Sequence, residues 1–368
     1  MNAYTQALGI AATPAGKGAL RLHLNENTGG CSPAVLDALS RLTPDLIGAY
    51  PDYGPAIDAV AAWFGVPTDW VMLVNGLDEG IPLVTGAKVR GCEGAKVLVR
   101  GCEGAQVLVR GVVLDPAFDM YPCAVLNAGA ELVRVAPRAD FALSVDDVLA
   151  AAEGPSIIYL TDPNNPTGIG LPAGAIEAIA TARPDATVFV DEAYGEFSGR
   201  SFIPTLLASP ERFSNVVVGR TFSKAFGLAG LRIGALIAPP STLAPIEAMP
   251  SPFNVNIAAA VALPAALSDV AWLHSTVCEA NDSKQAVYEF CDRHGLTYWR
   301  SEANFVLIRV GDDAAASLAF VNALGALGVL VRDRSAAPGC LGCIRLTTGL
   351  LAHTARALRV MEDILASR

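Results

Sequence analysis

The sequence predicts an α/β protein, with a large unit around a mostly parallel sheet followed by a smaller α/β unit. Two observations predict it. From about Val71 to Ala238, short β-rich apolar runs alternate with Ala- and Leu-rich helical stretches, the order that covers a parallel sheet with helices. After Pro239 and Pro240 the pattern becomes mainly helical, then returns to apolar runs at Asn304–Val310 and Ile344–Thr347. With 368 residues, 52% of them apolar and 17% charged, the chain has material for two sizeable cores.

The expected strands of the large unit are Val71–Val74, Val107–Leu114, Glu131–Val135, Ser156–Leu160, Thr187–Val190, Val216–Val218 and Ile233–Ile237. The Ser156 run leads into a Pro/Asn/Gly turn at Asp162–Gly168. The Thr187 run ends in Asp191 and Glu192, which reads as a buried strand delivering carboxylates to its C-terminal end, where ligands sit in α/β folds. Overlapping the start of the Val107 run is a ten-residue tandem repeat, Val89–Leu98 and Val99–Leu108, that differs only in Lys96 against Gln106. Two short copies cannot build a solenoid. One copy is expected to be spare and on the surface, with Arg90, Arg100 and Arg110 solvated.

The densest chemistry lies in Arg220–Gly234, read as Arg-Thr-Phe-Ser-Lys-Ala-Phe-Gly-Leu-Ala-Gly-Leu-Arg-Ile-Gly. Hydroxyls at Thr221 and Ser223 with the guanidinium of Arg232 make a site for a phosphate dianion. Lys224 beside them has an amine that can form a Schiff base with an aldehyde. An aldehyde cofactor carrying a phosphate is pyridoxal 5'-phosphate. Asp191 suits its protonated ring nitrogen, and Tyr194 and Asn165 suit its phenolic oxygen.

A net charge of −10 gives no electrostatic footprint for nucleic acid. The most apolar tract, Ile257 to Leu267, is too short to span a membrane and contains Pro264. The first residues lack the features of a secretory signal, so a cytoplasmic location is expected. The eight cysteines are scattered; Cys340 and Cys343 form a single Cys-x-x-Cys. With four histidines in the chain, no metal site is expected, and the thiols read as reduced and structural.

Together these motifs resemble the fold-type I pyridoxal-phosphate enzymes of aminotransferase class I/II, and within them the histidinol-phosphate aminotransferase family. Further segments carry the likeness: Leu22-His-Leu-Asn-Glu-Asn27, Tyr50-Pro51, Asn75-Gly-Leu-Asp-Glu-Gly80, Asp115–Tyr121, Ala303-Asn-Phe305 and Cys343-Ile-Arg-Leu-Thr347. The resemblance implies a large cofactor-binding domain over residues 30–250, and a small domain joining 1–29 to 251–368. It implies that Phe118 stacks on the cofactor ring and that Leu77 and Asp78 hold its phosphate with Thr221, Ser223 and Arg232. Tyr50 would reach the neighbouring subunit's site in a homodimer. Arg345 would grip a substrate carboxylate or phosphate, Arg332 would join it on a phosphate, and Asn165 would border the substrate.

Lys224 would carry the proton at the substrate's Cα, its pKa lowered by burial and by Arg232. The partners would be an amine donor and a 2-oxo acid acceptor. One departure bears on the donor: the family's usual Asn-Glu-Asn-Pro-Tyr-Gly reads Asn25-Glu-Asn-Thr-Gly-Gly30 here, so Gly29 stands for a pocket tyrosine and a roomier or differently shaped wall is expected. Histidinol phosphate, aromatic amino acids and other amino acids therefore stay open as donors. So does decarboxylation of a phosphorylated amino acid, which the same fold supports. A nicotinamide oxidoreductase is disfavoured, because no Gly-x-Gly-x-x-Gly follows a first strand.

Overall fold

The structure, a computed structural model, describes residues 18–92 and 109–367. A short strand β1 (Leu20–Arg21) leads to helices α1 (Pro33–Ser40) and α2 (Gly54–Phe64). Ser32 starts α1: its Oγ accepts the Ala34 N–H at 3.1 Å and Pro33 occupies the first turn, both favourable at a helix start. Then come β2 (Val71–Val74) and α3 (Leu77–Gly91). The tandem repeat lies outside the described residues from its fifth position on, and Val89–Gly91 end α3.

The large sheet continues with β3 (Arg110–Leu114), β4 (Glu131–Val135), β5 (Ser156–Thr161), β6 (Thr187–Asp191), β7 (Val216–Thr221) and β8 (Gly234–Ile237), with α4 (Met120–Asn127) between β3 and β4. Its seven strands run in the order β2-β8-β7-β6-β5-β3-β4. All neighbours are parallel except at β8, which is antiparallel to β2 and to β7. Every residue of β5 and β7 is buried, as a sheet covered on both faces requires.

The expected strands differ at their ends, and the differences matter. β5, β6 and β7 extend to Thr161, Asp191 and Thr221, polar residues that an apolarity criterion cuts off. β8 starts at Gly234, because Arg232 has left-handed backbone at φ 56°. β3 starts at Arg110 within the described residues, and Arg110 is partly exposed, as expected, with surface ion pairs to Glu131 at 3.2 Å and Glu153 at 3.8 Å.

Beyond the sheet, α5 (Ile257–Ser268) and α6 (Val270–His294) precede a small three-stranded antiparallel sheet. It contains β9 (Phe305–Arg309), β11 (Arg332–Asp333) and β12 (Cys343–Thr347), with β12 in the middle. Helix α7 (Ala314–Ala326) and strand β10 (Val329–Leu330) fall between β9 and β11, and α8 (Leu351–Ala366) closes the unit. β1 pairs with β10 in parallel, Leu20 opposite Val329. Leu20 and Leu22 are thereby buried with Val287, Phe320, Ile344 and Met361 in the small unit's core. Ala259, Ala262 and Leu263 of α5 pack in the large core. No single described helix is long and apolar enough to cross a membrane.

Candidate active site

Parallel register brings the C-terminal ends of the central strands to one rim. Thr161 lies opposite Asp191, and Asp191 opposite Gly219. Asp191 accepts hydrogen bonds from the Tyr121 hydroxyl at 2.6 Å and the Ala193 N–H at 2.9 Å, and Tyr121 also meets Thr161 at 2.9 Å. Burial pushes the Asp191 carboxyl up to about 6, against the lowering effect of these two donors. Among the described residues no cation pairs with it. A buried carboxylate in this position is built for a positive charge that the chain itself does not supply.

After β7 the chain turns through Phe222 and Ser223 to Lys224, whose Nζ donates to the Leu24 carbonyl at 3.0 Å. Burial lowers the lysine to about 8, and Arg345 contributes next; Arg232 is the least of the named causes. Burial and Arg232 both act in the expected direction, and Arg345, from the small unit, adds a larger lowering that the sequence did not indicate. An amine at that pKa is partly neutral near neutral pH, as a nucleophile or base requires.

An anion cradle lies beside the lysine. Gly76 precedes α3 with φ 72°, and α3 has no side-chain cap there. A Cβ at Gly76 would stand 2.6 Å from Arg232 Nη2, so only glycine lets the guanidinium lie against the helix start. Arg232 donates to Asp78 at 2.8 Å and to the Ala229 carbonyl at 3.1 Å. Thr221 Oγ1 accepts the Ser223 N–H at 3.2 Å, shaping the turn that carries the Ser223 hydroxyl. An uncapped helix N-terminus with an arginine and a serine is an anion site.

The opposite wall comes from the N-terminal segment and the small sheet. Arg345 of β12 faces Arg332 of β11 in register. Arg345 donates to Asn165 Oδ1 and, at 2.8 Å, to the His23 carbonyl, and it lies 5.3 Å from the Phe305 ring centre. Neither acceptor is charged, and Arg345 Nε has no partner. Burial lowers Arg345 to about 9, and Arg334 and Arg332 push the same way. Burial also lowers Arg332, again with Arg334. The nearest acid to Arg334 is Asp119, at 4.0 Å. Asn25 donates to the Tyr194 hydroxyl at 2.9 Å.

Most of these groups, among them Lys224, Asp191, Arg232 and Arg345, line one cavity of about 330 Å³. A family model described as aminotransferase class I and II matches residues 17–360. The chain belongs to this family. A histidinol-phosphate aminotransferase 2 from Ralstonia nicotianae is 37% identical over 353 residues, covering 94% of this chain and 89% of that protein. A histidinol-phosphate aminotransferase from Halalkalibacterium halodurans is 33% identical over 354 residues, with the same two coverages. The solved histidinol-phosphate aminotransferase of Sinorhizobium meliloti, in complex with pyridoxal-5'-phosphate, matches with a TM-score of 0.81 and 26% identity over 98% of this chain and 94% of that one. The L-threonine-O-3-phosphate decarboxylase of Porphyromonas gingivalis shares the fold at TM-score 0.73, with 22% identity over 94% of this chain and 99% of that one. The fold is that of the fold-type I aminotransferases.

Of the residues singled out in this aminotransferase's sequence, the cavity gathers Leu77, Asp78, Phe118, Asn165, Asp191, Tyr194, Thr221, Ser223, Lys224, Arg232, Arg332 and Arg345. Tyr50 is not brought there within its own chain: it is 78% exposed and stacks on Phe253 at 4.1 Å. Gly29 is not among the residues lining the cavity, and a Cβ on it would stand 3.3 Å from both Leu350 and Asn27 Oδ1. Four cavity residues carry roles that sequence reasoning did not assign: His23, Asn25, Tyr121 and Arg334. All four sit inside or beside motifs already singled out, but their partners are distant in the chain.

Proposed function

We propose that the protein uses pyridoxal 5'-phosphate to move an amino group between histidinol phosphate, or a related amino compound, and a 2-oxo acid. The residues present fit that cofactor. The buried, cation-free Asp191 suits a protonated ring nitrogen, the cradle of Gly76, Ser223 and Arg232 suits a phosphate, and Lys224 suits the aldehyde. When bound, the cofactor supplies an electron sink for bond breaking at the substrate's Cα.

The chain's own groups do the rest. Lys224, held at the Leu24 carbonyl, takes and returns the proton at Cα, and its lowered pKa keeps it a usable base. Tyr121 and the Ala193 N–H fix the carboxylate of Asp191. Asn165 gives its oxygen to Arg345, which leaves its amide N–H groups for the cavity. Phe118, edge-on to Tyr121 at 5.8 Å, offers a ring face.

The observation that carries the substrate reading is the group of Arg332, Arg334 and Arg345 on one cavity wall, where Asp119, 4.0 Å from Arg334, and Asp333 are acids that offset part of their charge. A single carboxylate needs one arginine; three suit a dianion. The relatives' names point the same way. We take the working form to be a cytoplasmic homodimer that needs no nucleic acid or membrane. The exposed Tyr50–Phe253 stack beside exposed Leu46 and Ile47 supports an apolar contact with a second copy, through which Tyr50 would reach that copy's site.

The test is a half-reaction screen. Histidinol phosphate, histidinol and phenylalanine are added singly to the yellow form while its absorbance is followed. The phosphorylated amine should discharge the colour fastest. A faster reaction with phenylalanine would favour a general amino-acid aminotransferase, and release of carbon dioxide from a phosphorylated amino acid, added without any 2-oxo acid, would favour a decarboxylase. Borohydride reduction and peptide mapping should place the pyridoxyl label on Lys224; a label on another lysine rejects that assignment.

A further inference from the structure

We infer that Asn25 is a positioning residue: its side-chain amide aims the Tyr194 hydroxyl proton into the cavity. The inference rests on the pyridoxal-phosphate reading above. Asn25 is buried, 1% exposed, with a left-handed backbone at φ 55°, a conformation that asparagine tolerates better than most residues. Its backbone N–H donates to Thr347 Oγ1 at 3.1 Å, and the Thr347 hydroxyl donates back to Asn25 Oδ1 at 3.2 Å. That hydroxyl has one proton. With that proton on Oδ1, Nδ2 is the end of the amide that faces Tyr194.

Asn304 Nδ2 adds a bond to the Asn25 carbonyl at 3.3 Å, so the small sheet and the loop before it hold the residue from both sides. Nδ2 then donates to the Tyr194 hydroxyl at 2.9 Å. Tyr194 is itself 3% exposed and packs edge-on against Phe305 at 5.1 Å. Its oxygen accepts from Asn25, so its own proton is left for the cavity it lines. A phenolic oxygen on the cofactor would receive it. The polarity of one amide in the N-terminal segment thus sets the polarity of a tyrosine in the large unit.

Two substitutions tolerate the positive φ: one turns the amide into a carboxylate, the other removes the side chain. Asn25→Asp presents an acceptor where Nδ2 stood, so Tyr194 turns its proton away from the cavity. Asn25→Gly suits the positive φ and leaves the hydroxyl free to rotate. The readout is the pH at which the holoenzyme's yellow band converts, which rises when the phenolic oxygen loses a donor that stabilises its negative charge. Asn25→Asp should raise this midpoint by about 1–2 pH units, the scale of one charge-assisted hydrogen bond. Asn25→Gly should raise it less. In a Tyr194→Phe background, Asn25→Gly should leave the midpoint unmoved. An Asn25→Asp midpoint equal to wild type, or an Asn25→Gly shift that persists without the tyrosine hydroxyl, overturns the inference. A wild-type protein that forms no yellow species overturns the cofactor reading, and this inference with it.

Discussion

Arg220 and Arg345 are both buried, and the fold treats them in opposite ways. Arg220, on β7, pairs with Glu192 at 2.6 Å and with Glu196, and its guanidinium lies 4.8 Å from the Phe64 ring centre. Burial works to lower its pKa, but Glu196 and then Glu192 outweigh burial and hold it above the ordinary value. Space is left for it alone: a Cβ at Gly195 would come within 2.2 Å of Arg220 Nη1. Arg345 has an amide oxygen, a carbonyl and no carboxylate, and burial brings it down to about 9. The first charge is neutralised within the fold. The second is left open, as is the negative charge of Asp191. Burying a charge without its counter-charge is unfavourable, so such groups mark where charged parts of ligands belong.

The largest effect expected from this contrast is on stability at Arg220. Arg220→Met would strand Glu192 and Glu196 without a cation and should lower unfolding free energy by roughly 3–5 kcal/mol in urea titration. A loss under about 1 kcal/mol would remove the structural half of the contrast. Asp191 comes next. Its folded pKa is raised, to about 6 from 3.8, so the folded cofactor-free protein binds a proton that the unfolded chain has already released. Stability should therefore fall as pH rises through that window, by about 3 kcal/mol in all, and stay low above it. Asp191→Asn should flatten this slope; a slope that persists in that variant means that other groups cause it.

A smaller change in stability but a clear one in activity is expected at Arg345. Arg345→Met should leave the cofactor-free protein within about 1 kcal/mol of wild type or somewhat firmer, since no buried carboxylate is orphaned. Its kcat/KM for an anionic amine donor should fall about ten- to a hundredfold. Unfolding as pronounced as that of Arg220→Met would erase the difference between the two arginines.

The same contrast explains what could be read from the sequence. Lys224, Ser223 and Arg232 share one ten-residue segment between β7 and β8, and Asp191 and Tyr194 lie at one strand end, so local motifs reveal them. The strands that carry them were recognisable as apolar runs but were read too short. Thr161, Asp191 and Thr221 are polar, and the parallel register that buries them is a property of the neighbours. The arginine wall is different. Arg332 and Arg345 meet through antiparallel pairing of β11 and β12, and Arg334 joins them from the next turn. Tyr121 reaches Asp191 from α4, and Asn25 reaches Tyr194 from the opposite end of the chain's contacts. No periodicity in a single segment encodes such meetings. Nor does the sequence say which arginines lack acids: Arg110 has Glu131 and Glu153 beside it, whereas Arg345 has no carboxylate.

The central claim is that the cations left open in the fold receive the substrate's phosphate. Arg332→Ala tests it most directly, because Arg345 can serve a carboxylate as well as a phosphate. The measurement is the ratio of kcat/KM for histidinol phosphate to kcat/KM for phenylalanine, in wild type and in Arg332→Ala. The ratio should fall about tenfold or more, the loss of one charge-assisted contact made only by the phosphorylated donor. An unchanged ratio, with both substrates losing equally, would contradict the claim and leave Arg332 a structural residue.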